Sequence, residues 1–243
     1  MSTNQENEAL LRKAGVPRLI QAYYQTACSN PDLSFTDGVE KMFNVFLGDK
    51  SIALKEKYLQ EAQLPYVSVT LSDIDLRQHS SLSIPKLEVI TEGGWLDNQS
   101  SVLLYGNGGE EQVRLGCYIA KQIVNLQNEL RCYSMFDLIL MLKKSKSKQT
   151  LKKAITSLGK LDVLFIYDWF VAGLSVDHTY LLSQLLDARK DKGGFIISTS
   201  TPIKLWSKQS DDIGFIGRID DILASNYHFL EFDDLGKEGR YVH

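Results

Sequence analysis

The chain carries three cysteines and five prolines in 243 residues, and neither a long apolar run nor a metal-ligand spacing. Cys28, Cys117 and Cys132 are odd in number and far apart. With no CxxC and no Cys/His spacing, a disulfide framework and a zinc site are both excluded as readings, and core thiols in a reducing compartment are expected. No apolar stretch approaches the roughly 20 residues that a spanning helix requires. The opening MSTNQENEALLRK is polar and without an apolar signal core. These absences lead to the expectation of a cytoplasmic, soluble protein with no membrane partner. A formal charge of −3 gives no global sign of nucleic-acid binding, so any such signal has to be local. His79, His178, His228 and His243 are scattered, with no nearby residue suggesting a triad or metal ligation, so no metal site is expected. Ser198, Thr199, Ser200 and Thr201 cluster hydroxyls without the G-x-S-x-G elbow of a nucleophile.

What is present is a strand, a glycine loop and a helix. Val102, Leu103, Leu104 and Tyr105 run into Gly106, Asn107, Gly108 and Gly109, and a helix-compatible stretch follows from Glu111. That context makes a phosphate-binding loop credible. A working loop reads G-x-x-x-x-G-K-[ST], with backbone N–H groups and the Lys on the phosphates and the hydroxyl on Mg²⁺. Counted from Gly106, this chain has Glu111 for the second Gly, Gln112 for the Lys and Val113 for the hydroxyl. Residues 106–113, with Glu110 and Glu111 placed to repel phosphate, thus form a degenerate nucleotide site, and ATP and Mg²⁺ are at most weak cofactors. The same glycines also fit a plain strand-to-helix turn.

Alternation of apolar runs and helical stretches continues to the end of the chain. Strands are predicted at 101–105, 130–134, 162–167, 195–199 and 227–232, and helices at about 111–127, 135–145, 149–158, 177–190 and 212–224. This predicts an α/β sheet covered on both faces. Residues 1–63 read as helical, with Pro17 in a first turn, Ser34 as a cap, apolar positions Val39 to Leu47 at helical spacing, and a further helix from Ile52 to Ala62. Residues 64–100 read as a connector anchored by Trp95. From Leu138 to Leu161 there is no acidic residue, and Lys143, Lys144, Lys146, Lys148, Lys152, Lys153 and Lys160 fall within it. Such a segment fits phosphate-backbone contact with DNA or, equally, a solvated helix–loop–helix face.

The order of these pieces resembles the IstB-like ATPases, relatives of the DnaC helicase loaders in the AAA+ class. The matching stretches are Leu33-Ser34-Phe35, Leu59 to Pro65, Leu71-Ser72-Asp73-Ile74-Asp75, LLYG at 103–106, Leu161 to Ile166, Ile196 to Trp206, and Ile216-Gly217-Arg218-Ile219. The resemblance implies a P-loop NTPase sheet of about five strands in three layers over residues 101–243, preceded by an all-helical partner-binding or oligomerisation region at 1–63. It implies DNA and a transposase or helicase as partners, and a homo-oligomer. The departures fall on catalytic positions. Tyr167 stands at the Walker B aspartate, Asp168 at the catalytic glutamate, and Ser200 at the sensor asparagine. Shifted by one residue, Asp168 would hold Mg²⁺ and Trp169 would replace the base. Arg218 is retained at a position that acts across a subunit interface. The expectation is a DNA-associated assembly factor with impaired or absent hydrolysis. The alternatives are an unconventional ATPase using Asp168 and Arg218, and a non-catalytic interaction module that inhibits a homologous ring.

Overall fold

The computed structural model describes residues 22, 24–26, 35–79, 81–145, 147–170, 173–190, 192–210, 212–224 and 227–233. The chain divides into two compact units, 1–57 and 58–243. Most of helix α1 (Phe35–Ala62) lies in the first. It is one helix of 28 residues, where the sequence suggests two. The sequence Gly48-Asp49-Lys50-Ser51 reads as a break, but an interior glycine costs a helix only about 1 kcal/mol, too little to interrupt it. The cap expected at Ser34 and the turn at Pro17 lie outside the described residues.

In the second unit five parallel strands form one sheet in the order β2-β3-β4-β1-β5. They are β1 (Ser101–Gly106), β2 (Leu130–Ser134), β3 (Val163–Tyr167), β4 (Gly194–Thr199) and β5 (Tyr227–Phe232). Parallel neighbours cannot be joined by hairpins, so a crossover helix follows each of the first four strands. These are α3 (Gly109–Asn125), α4 (Met135–Lys143) and α5 (Lys148–Gly159), α6 (Val176–Arg189) and α7 (Ile213–Ala224). All ten predicted strands and helices appear within a few residues of their predicted bounds, because β1, β3 and β4 are largely apolar runs and serines precede α4, α5 and α6. Ser134 caps α4 by accepting from Asp137 N–H at 2.9 Å, and Ser147 forms a capping box with Thr150 on α5.

Alternate strand residues feed two core layers. Val102, Leu104, Phe165 and Ile196 pack with Leu115, Ile119 and Ile123 of α3. Leu103, Leu164, Ile166 and Ile197 pack on the other face with Leu182, Leu185, Phe215 and Ile219. Residues 64–100 contain more structure than their composition suggests. Three short 3₁₀ turns flank helix α2 (Ile84–Thr91). Pro85, which reads as a breaker, sits in the first turn of α2, where its missing N–H costs nothing. Trp95 is the buried anchor of the segment, its Nε1–H donating to Ile90 O at 2.9 Å. Cys117 and Cys132 are buried core thiols. Burial pushes Cys117 up to about 11 and Cys132 further in the same direction. Cys28 lies outside the described residues.

One buried charge ties the layers together. Arg189, 2 % exposed at the end of α6, donates to Leu158 O at 2.7 Å, Leu161 O at 3.1 Å and Gly194 O at 2.8 Å, and lies over the Phe195 ring. It satisfies carbonyls left over at the end of α5 and at the start of β4. Burial lowers its pKa to about 10, so it stays protonated at neutral pH. Replacing Arg189 with Met should cost about 2–4 kcal/mol in urea unfolding, because three buried carbonyls lose their donor. A change below about 0.5 kcal/mol, the range of ordinary surface substitutions, would show that the carbonyls are otherwise satisfied.

Candidate functional site

All five strands end at the same edge of the sheet, and the sequence-predicted site residues 106–113 and 167–168 lie along it. β1 ends at Gly106 and α3 begins at Gly109, so only Asn107 and Gly108 separate strand from helix. The count from Gly106 expects a longer loop, with the helix starting at Glu111. Instead Glu110, Glu111 and Gln112 are already helical. The turn is pressed against the end of β5. Gly106 has φ 131° and lies under Phe232 O, while Gly108 lies under the Phe232 ring, so a Cβ on either would collide.

Each polar side chain of the first turn of α3 has an internal partner. The Gln112 amide is 3 % exposed, and its Nε2 donates to Leu104 O at 2.7 Å and Thr199 O at 3.1 Å. Glu111 Oε1 accepts from Asp75 N–H at 2.8 Å, and its Oε2 lies 3.5 Å from Nε2 of buried His79. Glu110 pairs with Arg114 at 2.7 Å, and Arg114 lies over the Tyr66 ring. Arg114 also holds the Glu110 carboxyl below its usual range, while burial and Glu110 push the Tyr66 phenol up. Val113 is buried in the core.

His79 was not legible as a site residue. Its Nδ1 accepts from Asp233 N–H at 3.1 Å and its ring meets Phe232 edge-on at 4.7 Å, contacts with residues about 150 positions away. Thr199 likewise looked like one hydroxyl among several. Its Oγ1 donates to Trp169 O at 2.6 Å and accepts from Thr201 N–H, while Thr201 Oγ1 donates to Phe170 O. Through Gln112, Thr199 and Trp169, the start of α3 and the exits of β1, β4 and β3 form one hydrogen-bonded row.

The β3 exit is built on packing. Trp169 and Phe170 are buried against Trp206, and Phe170 also meets Phe215. Asp168 and Phe170 adopt positive φ of 56° and 58°. For a bulky side chain this costs about 1–2 kcal/mol, which burial of the ring offsets. Asp168 remains solvent-accessible, with its carboxyl raised by partial burial. Burial is also the main cause raising the Tyr167 phenol. Arg218 is engaged within its own chain. Its Nε and a terminal nitrogen donate to the Asp187 carboxylate at 2.6 and 2.9 Å, and the other terminal nitrogen donates to Gly214 O at 2.7 Å. It also holds the Asp187 carboxyl below its usual range.

The lysine segment forms the α4–α5 hairpin. Lys143 and Lys144 end α4, and Lys148, Lys152 and Lys153 line α5, all exposed. Lys143 Nζ lies 3.4 Å from His178 Nε2. Lys146 lies outside the described residues.

An all-parallel sheet in this order, with a glycine turn between β1 and its helix, defines a P-loop NTPase domain of the AAA+ class. Solved structures agree on the fold. DnaI superposes with a TM-score of 0.55 at 15% identity over 73% of this chain and 94% of that one. The DnaC helicase loader superposes with a TM-score of 0.50 at 14% identity over 66% and 97%. Residues 9–234 match the family described as IstB-like ATP binding protein, and the chain belongs to that family. Among its relatives is a protein of insertion sequence IS1162 of Pseudomonas fluorescens, named for ATP binding, 22% identical over 79% of this chain and 83% of the relative. Another is the insertion-sequence protein y4uH of Sinorhizobium fredii, also named for ATP binding, 21% identical over 75% and 72%. Among the described residues no helix is long and apolar enough to cross a membrane.

Gln112→Leu should destabilise the chain by about 2 kcal/mol, since two buried carbonyls lose their donor. Gln112→Glu should cost more and acquire a pH dependence. A carboxyl facing two carbonyls has a folded pKa above its unfolded value of about 4.3, so its stability is retained below that pH and lost as pH rises through the folded pKa. Thermal melts of both variants at acid and neutral pH check this. Equal melting temperatures for Gln112→Glu at both pH values, after correction for wild type, would contradict the geometry.

Proposed function

We propose that this chain is a DNA-associated assembly factor of the IstB/DnaC-like AAA+ class that recruits or positions a transposase or helicase, with ATP hydrolysis impaired or absent. The observation that carries the reading is Gln112. At the position of the phosphate-binding Lys stands a neutral amide whose hydrogens are spent on Leu104 O and Thr199 O. The residues present do not fit ATP·Mg²⁺. The turn is two residues long, Val113 offers no hydroxyl, and Phe232 lies against the glycines. Glu110 and Glu111 add repulsion, roughly 4 kcal/mol for unit charges 4 Å apart at an effective dielectric of 20. Arg218, the candidate for action across an interface, would first have to leave Asp187, and Asp168 has no described cation partner. Under this reading residues 1–63 bind the partner or a second copy, 64–100 link, and 101–243 are the P-loop NTPase domain. The insertion-sequence relatives support a transposase as the partner.

The expected consequence for nucleotide is a small thermal shift. Ligand at about 100 times its Kd adds roughly 2.7 kcal/mol, about 5–10 °C for a chain of this size. Differential scanning fluorimetry with about 1 mM ATP and Mg²⁺ should show a shift well below that. A shift of many degrees would overturn the closed-loop reading.

For DNA, Lys143, Lys144, Lys148, Lys152 and Lys153 present charge on an exposed hairpin without base-reading groups. Binding should be sequence-independent, with log K falling by about 0.9 per neutralised phosphate for each unit of log salt. Replacing Lys143, Lys144, Lys146 and Lys148 with Gln should weaken anisotropy-measured binding and flatten that slope between about 50 and 200 mM salt. Replacing Lys55 and Lys57 should do less. Equal binding by all three proteins, or no binding at low salt, would remove the DNA role and favour an interaction module.

A further inference from the structure

Lys143 stands apart from the other lysines of the α4–α5 hairpin by its neighbour. Its Nζ lies 3.4 Å from Nε2 of His178. Lys143 is the last residue of α4 and His178 lies in the first turn of α6, two helices that pack side by side. Each of the two is carried by a fixed backbone. Leu142 and Thr179, the adjacent residues, are both 1 % exposed, and Thr179 Oγ1 donates to Val176 O at 2.8 Å. Ser175 caps α6 by accepting from His178 N–H at 3.4 Å. The amine itself is exposed and the imidazole half-buried. Among the described residues no carboxylate pairs with Lys143, and no imidazole lies beside Lys144, Lys148, Lys152 or Lys153.

An ammonium only donates, so opposite it His178 Nε2 accepts and the ring proton sits on Nδ1. A lysine nitrogen attacks an acyl carbon only after losing a proton, and an imidazole within hydrogen-bond reach is suited to take it. A carboxylate partner would instead hold the ammonium. We propose that Lys143 is a site of acylation by acyl phosphates, with His178 as the base. The bond from Lys143 Nζ to the acyl carbon forms, the bond from that carbon to the phosphate oxygen breaks, and phosphate leaves with the electron pair. The nitrogen sheds two protons. One passes to His178 Nε2 and on to water, and the other leaves on the phosphate as HPO₄²⁻. Exposed Lys144, Lys148 and Lys152 draw a dianionic donor to the hairpin, which favours an acyl phosphate over an uncharged acyl ester. The amide product carries no charge. Its consequence rests on the DNA reading: the hairpin loses one phosphate contact, so affinity falls and the salt slope drops by about 0.9. The acylation itself does not depend on that reading.

The test treats the full chain with acetyl phosphate and follows each lysine over time by peptide mass spectrometry. Lys143 should acetylate about tenfold faster, or more, than Lys144 and Lys152 in the same sample. His178→Ala and His178→Gln should both bring Lys143 down to the rate of those two lysines and leave theirs unchanged. Gln keeps a polar group at that position but is no base, so it separates proton transfer from positioning. Circular dichroism melts establish that each variant is folded. A Lys143 rate equal to that of Lys144 in wild type overturns the proposal. So does a folded His178→Gln chain that acetylates Lys143 as wild type does. Anisotropy titration of duplex DNA with the treated and untreated chain is read separately. Fast, His178-dependent acetylation in a chain that binds no DNA supports the modification site and removes the DNA reading alone.

Discussion

A parallel sheet brings every strand exit to one edge, and the carbonyls at that edge need donors. In this protein one neutral side chain, the Gln112 amide, supplies two of them, on β1 and β4. Thr199 continues the row to Trp169, and Thr201 to Phe170. The beginning of α3, the glycine turn and the β3 exit therefore share a single hydrogen-bonded support. A lysine at position 112 would direct charge outward to an anion. An amide at that position directs hydrogen bonds inward, and the helix closes onto the sheet.

That closure shapes the surroundings. Phe232 can lie against Gly106 and Gly108 because no loop arches over them. Glu111 turns to Asp75 N–H and His79, which brings the turns before α2 onto the first turn of α3. Asp73, Asp75, Glu110 and Glu111 stand beside the first turn of α3, and exposed lysines line the α4–α5 hairpin that follows β2, the edge strand farthest from β5. In a chain of net −3, this local cluster of lysines is the observation behind the proposal of a polyanionic partner.

The aromatic cluster at the β3 exit plays the corresponding role on the other side. Trp169, Phe170, Trp206 and Phe215 hold a segment in which two non-glycine residues have positive φ. Packing fixes Asp168 at an accessible position without any described cation to pair with it. Arg218 and Asp187 pair within the chain.

The sequence by itself determined the sheet and its helices, because apolar runs, serine caps and glycine turns act over a few residues. It also gave the identities of Gln112, Val113 and Tyr167, on which the proposal of impaired hydrolysis rests. It left open whether 106–113 is a wide loop or a tight turn; the tight turn packs against Phe232, more than a hundred residues downstream, a contact that local sequence does not record. Helix α2 and the continuity of α1 were hidden because Pro85 and Gly48 punctuate chains locally, and tertiary context outweighs about 1 kcal/mol of propensity. The partners of His79, Thr199 and Arg189 include residues from 28 to 154 positions away, and no periodicity records a hydrogen bond at that distance. Only the folded sheet, by aligning five strand ends, brought those residues within reach of one another.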